Sequence, residues 1–302
     1  MRCKFHKFNT GLKLEYIEKF FEELGVKYDF KGNYLKPFKG TCSLEANFNN
    51  SIRWCKQKTL EIQNLNNFII TDRSLELNEE LLENNLFVEV EMPKFVYHKL
   101  LEKLLLDNLL DATTGLRHEI PLEVKGNYFI SKKNTFIDPS TYISPGVVIY
   151  PNVKIGKNCY LGPNSVIGAQ GFGIVKNPTN GLLEKVIHIG GVSIGDNVNI
   201  GSNTCIDAGM INETFIDSNV AINNRVHIAH NSRIMSGTII CAGCVITGGS
   251  IIKKNVYLSP NSVTLQSVVV GENSTLGAGT ILRKSVSENS LIYGNPMKIV
   301  NK

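Results

Sequence analysis

A repeat of six residues constrains this chain more than any other feature. Large aliphatic side chains stand at Ile137, Ile143, Ile149, Ile155, Leu161 and Ile167 and resume at Ile194, Ile200 and Ile206. They then run from Ile216 through Ile222, Ile228, Ile234, Ile240, Ile246, Ile252 and Leu258 to Val270, Leu276 and Leu282. Of the 21 positions in phase only Thr264 is not aliphatic. Four residues after each aliphatic stands a shorter side chain, as at Val147, Val153, Cys159, Ser165, Val226, Ser232, Thr238, Cys244 and Ser250. Such a period predicts a solenoid of triangular section, in which each hexad gives one short strand and one corner and three hexads close a coil. One large and one small side chain per hexad fill the narrow interior. Successive coils then stack as parallel strands about 4.8 Å apart. Glycine often follows the aliphatic directly, as at Gly156, Gly162, Gly168, Gly195, Gly201, Gly271 and Gly277, where a turn is expected to need it.

Two segments break the phase. Ala169–Lys185, rich in Gly, Asn and Pro, reads as a loop extruded from one corner, either one that touches substrate or a solvated insertion. A shorter slip covers Ala208–Glu213. Residues 1–112 have a different character and read as mixed α/β. Leu12–Leu24 has helical apolar spacing with Thr10 as cap and Gly25 as stop, Asn67–Thr71 and Phe87–Glu91 read as strands, and Pro93 opens a second helix. A polar connector, Asp111–Arg117, follows. The expected organisation is a small α/β domain (1–112), a parallel β-helix (113–290) and a short C-terminal tail (291–302), mainly β overall.

The composition excludes several classes. Lys and Arg number 32 against 27 Asp and Glu, a net charge of +5. That excess is too mild for nucleic acid and suits an anionic ligand such as a nucleotide or coenzyme A. No apolar run reaches the roughly 18 residues of a membrane span, and MRCKFHKFNT lacks a signal peptide's apolar stretch, so a cytoplasmic location is expected. Seven cysteines do not form a disulfide framework, and Cys241-Ala-Gly-Cys244 is a lone CxxC without a second pair at zinc spacing, so no metal is expected.

Histidine carries the candidate chemistry. By phase, His227 lies five residues after Ile222 and His230 two after Ile228, so both point outward from the core. An outward imidazole suits a general base, because amine attack on a thioester requires removal of a proton near neutral pH. One coil beyond His230 stands Gly248, whose bare backbone N–H suits a developing oxyanion. Gln266 lies a further coil on, with Ser267 beside it. Lys253, Lys254, Arg283 and Lys284 gather toward the C-terminal coils, where they suit the phosphates of a coenzyme A nucleotide. An outer wall bearing a base and a glycine has no cleft of its own, so a neighbouring wall from an oligomer is expected to exclude water.

The stretch Ile167–Asn231 carries IGxxGFG at Ile167–Gly173, IGxNTxIDxG at Ile200–Gly209 and IAHN at Ile228–Asn231. On these motifs it resembles the UDP-3-O-acylglucosamine N-acyltransferases of lipid A synthesis. The resemblance implies a left-handed β-helix, a homotrimer, His230 as catalytic base and Gly248 as oxyanion donor. It also implies a nucleotide-sugar-binding N-terminal domain, with Trp54 of Ser51-Ile-Arg-Trp54 as the base-stacking aromatic and Gln57 nearby. The family's second histidine falls on Ser267, an Asp of the family on Asn223, and the Arg of IDRG on Ala208. The family's C-terminal helices, which help to engage acyl carrier protein, have no counterpart. The chain ends IYGNPMKIVNK, similar to the GNPAK ending of coenzyme A-dependent hexapeptide acetyltransferases. AntD-type nucleotide-sugar N-acyltransferases are similar in outline.

The leading expectation is an N-acyltransferase acting on a nucleotide-linked amino sugar with an acyl-coenzyme A thioester, which is a co-substrate and not a bound cofactor. His227, Asn223, Gln266 and Ser267 join Trp54 and Gln57 as substrate-binding candidates. The alternative enzyme is the lipid A N-acyltransferase using acyl carrier protein. The alternative outside catalysis is a β-helical binding module.

Overall fold

The computed structural model describes residues 4–62, 64–110, 122–125 and 127–301. The connector expected at Asp111–Arg117 lies outside the described residues. Contacts divide the chain into two units, Met1–Ala112 with Gly173–Ile187, and Thr113–Phe172 with His188–Lys302.

The first unit is a six-stranded sheet of β1 (Phe5–Leu12), β2 (Asp29–Gly32), β3 (Phe38–Cys42), β4 (Ser51–Trp54), β5 (Phe68–Thr71) and β6 (Leu86–Glu89), in the order β1-β3-β4-β5-β6-β2. β3 to β6 run parallel, and β1 and β2 close the edges antiparallel. Helices α1 (Leu14–Leu24), α2 (Glu79–Asn84) and α3 (Pro93–Leu106) accompany it. The first helix starts two residues later than its spacing predicts. Phe5–Leu12 is taken by edge strand β1, so Thr10 is strand and Lys13 caps α1 without a side-chain hydrogen bond. Gly25 ends α1 as expected, in the left-handed region at φ 68°, with its N–H shared between the Phe21 and Glu22 carbonyls.

β4 owes its setting to Arg53, which is fully buried. Its guanidinium donates to the carbonyls of Leu44, Ala46 and Phe48 and to Ser51 Oγ, so a buried charge shapes the 44–48 segment.

The second unit is a parallel β-helix, as the hexads predict. Each strand pairs with the one 18 residues on where the phase is unbroken, as Tyr142 with Tyr160, Val148 with Val166 and Ile228 with Ile246. The pairs build three sheets, named here by their outward residues. The tyrosine face carries Tyr142, Tyr160 and Tyr257; the valine face carries Val148, Val166, Val245 and Val263; the mixed face carries Lys154, Phe215 and Arg233. Ile149 to Leu282 of the repeat, Thr264 included, are buried, and the shorter partners are buried beside them from Val147 to Thr280. Ile137 and Ile143, at the first coils, are only half-buried.

The corners correct one expectation. Of the seven glycines expected at turns, Gly168 has positive φ, at 83°, and the other six do not. Gly156, Gly162, Gly195, Gly201 and Gly271 are needed because the next coil comes too close. A Cβ on Gly162 would lie 2.7 Å from Gly201 C and Ser202 N, both backbone atoms. The left-handed residue falls two positions later and is usually asparagine, as at Asn152, Asn158, Asn164, Asn197, Asn203, Asn219, Asn231, Asn255, Asn261 and Asn273. Some of these side chains bond from coil to coil, as Asn134 Nδ2 does to Asn152 Oδ1 at 2.6 Å.

The insertion is not a plain loop. Ile174–Lys176 and Leu183–Lys185 form an antiparallel hairpin, since alternation and the Asn177–Gly181 turn satisfy its backbone. Within the first unit Lys99 of α3 holds it through Glu184 at 2.7 Å. At the other end of the chain, Ser290–Tyr293 and Lys298–Asn301 add a hairpin to the tyrosine face. No described helix is long and apolar enough to cross a membrane.

Candidate functional site

His230 lies on the edge where the chain turns from the valine face to the mixed face. It is half-buried there, and its ring is fixed from two sides. Its Nδ1 is 3.0 Å from Asn231 Oδ1. The Asn231 amide is oriented by its other bonds: Oδ1 accepts the Met210 N–H at 3.0 Å, and Nδ2 donates to the Asn212 carbonyl at 3.3 Å. Oδ1 can only accept, so His230 carries its proton on Nδ1 and leaves the Nε2 lone pair available. The Nε2–Cε1 edge of the ring lies over Gly248. A Cβ built there would be 2.7 Å from Cε1 and 2.8 Å from Nε2, so only glycine admits the imidazole.

The edge also supplies the donor. Among the described residues the Gly248 N–H donates to no protein acceptor, whereas the Gly249 N–H donates to the His230 carbonyl at 2.9 Å. The His230 imidazole and this N–H thus stand one coil apart on one edge. Both breaks in the repeat also gather on this edge. The insertion leaves at Phe172 and returns at His188, and the 208–213 slip supplies Met210 and Asn212 to Asn231. The neck is closed by Gln170, whose amide bonds both backbone groups of His188 at 2.9 Å. His188 is 1% exposed, and its ring meets His230 at 5.1 Å between centroids and 63° between planes.

The other candidates are distributed more widely. His227 stands mid-way on the valine face with Nε2 3.6 Å from Asp207 Oδ2, an ion pair only when the imidazole is protonated. Asn223 is on the opposite edge of that face, its Oδ1 accepting the Asn224 N–H. Gln266 and Ser267 are exposed on His230's edge beyond Gly248. Ser267 sits at φ 60° and donates its N–H to the Gly248 carbonyl at 3.0 Å. The four basic residues are not one cluster. Lys253 and Lys254 stand on the edge between the mixed and tyrosine faces, whereas Arg283 and Lys284 share His230's edge. Lys284 is three coils of 18 residues beyond His230, about 14 Å at the spacing of paired strands.

Ala208 is buried and ends a strand of the valine face, so that position presents no polar group. Cys244 is a core residue whose thiol is pushed up by burial, and Cys241 lies 3.2 Å from the Tyr257 hydroxyl. In the first unit Trp54 is half-buried at the C-terminal end of parallel strand β4, where sheets of this kind present ligands. Gln57 is exposed and lines a cavity of about 300 Å³ with Leu44, Glu45 and Leu60.

Sequence reasoning missed Asn231, His188 and a larger cleft of about 680 Å³ in the first unit. The cleft is rimmed by Lys7, Lys36 and Lys39 over Phe5 and Phe48, whose rings are 4.9 Å apart. Asn231 was visible as the left-handed asparagine of its hexad. His188 was not, because nothing in a broken repeat says where the chain re-enters.

Known hexapeptide-repeat families match parts of the second unit. The bacterial transferase hexapeptide family (six repeats) matches residues 134–169, and the hexapeptide repeat of succinyl-transferase matches 191–211 and 255–284. The UDP-3-O-acylglucosamine N-acyltransferase of Delftia acidovorans is 50% identical over 54 residues, 18% of this chain and 16% of the relative. That of Pseudomonas aeruginosa is 46% identical over 54 residues, 18% of this chain and 15% of the relative. The match therefore spans about a sixth of those relatives' length. The UDP-N-acetylglucosamine acyltransferase structure from Francisella novicida is 24% identical, covering 59% of this chain and 70% of that one, with a TM-score of 0.46.

Proposed function

We propose, for a chain of transferase-type hexapeptide repeats similar in part to UDP-3-O-acylglucosamine N-acyltransferases, that it transfers an acyl group to the amino group of a nucleotide-linked glucosamine derivative. The observation that carries this reading is the His230 imidazole, with Nδ1 committed to Asn231 and Nε2 lying at Gly248. The sugar amine attacks the thioester carbonyl while His230 Nε2 takes its proton. The carbonyl oxygen becomes an oxyanion, and the Gly248 N–H, which has no acceptor among the described residues, stabilises it. Collapse breaks the C–S bond, and the thiolate recovers the proton from the imidazolium, leaving an amide and a thiol. His227, with Asp207 at 3.6 Å, lies along the face and binds substrate without sharing the proton transfer.

The likeness to UDP-3-O-acylglucosamine N-acyltransferases favours the alternative reading, acyl carrier protein as donor and UDP-3-O-acylglucosamine as acceptor, over a coenzyme A-dependent reaction on another sugar. Either donor presents a phosphopantetheine thioester, and Arg283 and Lys284, on His230's edge, hold its phosphate; Lys253 and Lys254 stand on another edge. The nucleotide lies in residues 1–112, at Trp54 and Gln57 or in the lysine-rimmed Phe5–Phe48 cleft. A homotrimer covers the apolar stripes of the valine and tyrosine faces and walls the open edge.

Mass spectrometry of protein incubated with UDP- and dTDP-amino sugars, each paired with acyl-coenzyme A or acylated carrier protein, tests the reading. Product from the UDP sugar with acylated carrier protein is expected. Product only from a coenzyme A thioester would restore the first donor assignment, and none from any pair would leave the β-helix as a binding module.

A further inference from the structure

We propose that His188, at the neck of the hairpin insertion, is a positioning residue that holds the His230 imidazole by edge-to-face packing. The kinetic consequence rests on the N-acyl transfer proposed above; the packing does not. His230 is tied at one point, Nδ1 to Asn231, and a single hydrogen bond leaves the ring free to pivot. Two neighbours remove that freedom. Gly248 lies under the Nε2–Cε1 edge, and His188 meets the ring at 63° and 5.1 Å.

His188 is itself over-determined. It is 1% exposed, and both its backbone groups are bonded by the Gln170 side chain, which takes the place of a strand neighbour where the repeat is broken. Gly171 packs between the His188 ring and the base of the His230 side chain: a Cβ there would lie 2.9 Å from His188 Nε2 and 3.0 Å from His230 Cβ. The neck residues Gln170, Gly171 and His188 thus form one rigid piece against the base. Nothing in the transfer steps needs a proton from His188; its role is the shape of its ring.

The test uses full-length protein labelled with ¹⁵N-histidine. Long-range ¹H–¹⁵N spectra, recorded where the imidazole is neutral, should show His230 as the Nδ1–H tautomer. In His188→Ala those signals should move toward the average of exchanging tautomers. Turnover should fall about tenfold or more with acceptor KM changed less than about twofold, as for a misplaced base. His188→Phe keeps a ring of similar shape and should restore both. Gly171→Ala, which drives a methyl against the His188 ring and the His230 Cβ, should disturb the same signals even if His188→Ala fails to fold. An unchanged His230 tautomer in His188→Ala or Gly171→Ala would overturn the proposal. So would a His188→Phe variant as impaired as His188→Ala. If wild-type protein turns over no substrate pair, the transfer reading falls, and the tautomer comparison alone decides the positioning.

Discussion

Gly248→Ala separates fold from chemistry. A Cβ at this position would meet the His230 ring at 2.7–2.8 Å, whereas ordinary contact begins near 3.4 Å. The ring must therefore retreat by about 0.6 Å or more, and because it is a side chain at an edge it can do so without moving the coil. A 1 Å misplacement of a reacting group costs about 10²-fold, so a loss of about 10- to 100-fold in turnover is expected, roughly 1.4–2.7 kcal/mol of transition-state stabilisation. Melting should change little, because the only obstacle to the new methyl is the His230 ring, a side chain that can turn aside, and not the backbone of a coil. Gly162→Ala is the contrast: its obstacle is the backbone of the next coil at 2.7 Å, and overpacking of that kind costs about 1–3 kcal/mol of stability. Product formation by mass spectrometry and thermal melts read the two effects. A Gly248→Ala protein with turnover within about twofold of wild type would show that the His230–Gly248 contact does not matter to the reaction.

His230→Ala should leave folding intact and reduce turnover by about 10² to 10⁴-fold, with His227→Ala doing less; the reverse order in steady-state assays would move the base to His227. Arg283→Gln with Lys284→Gln should raise the KM for the thioester donor and flatten its dependence on salt, while Lys253→Gln with Lys254→Gln should not; titrations across ionic strength check this. Hydrogen bonds from Lys99, then from Asn177, hold the Glu184 carboxyl below its usual range. Because the folded value is depressed, the stabilisation is complete above about pH 4.3 and lost as pH falls through the depressed value. Carboxyl ¹³C NMR should place the Glu184 midpoint below that of free glutamate, and a midpoint at or above it would contradict the pairing.

The β-helix was legible because its core admits one large and one small side chain per hexad, and Ile149 to Leu282 obey that limit. The reason for the glycines was not: their restraint is the backbone of the next coil, and a sequence read along one strand does not show what lies across it. The asparagine two positions after them was visible and carried the corner signal instead. In the first unit α1 was displaced because Phe5–Leu12 pairs with β3, a long-range partner that overrides local capping at Thr10. The stacking of His230 on Gly248 was legible by counting 18 residues, since the repeat turns sequence spacing into stacking. His188 escaped the same count because the hairpin between Phe172 and His188 destroys the arithmetic. Lys253 and Arg283 looked alike in sequence, yet lie 30 residues apart, five hexads and not a multiple of three, and so fall on different edges.

The most direct measurement is the chemical nature of the product. Protein incubated with a UDP-linked glucosamine derivative bearing a free amine, together with an acylated carrier protein, should give a sugar nucleotide heavier by one acyl group. That added mass should survive mild alkali, because it is an amide, and should be lost from the reaction when His230 is replaced by alanine. An added mass removed by alkali would mean ester formation at a hydroxyl. Undiminished amide formation by His230→Ala would mean that the edge described here is not where the proton is taken.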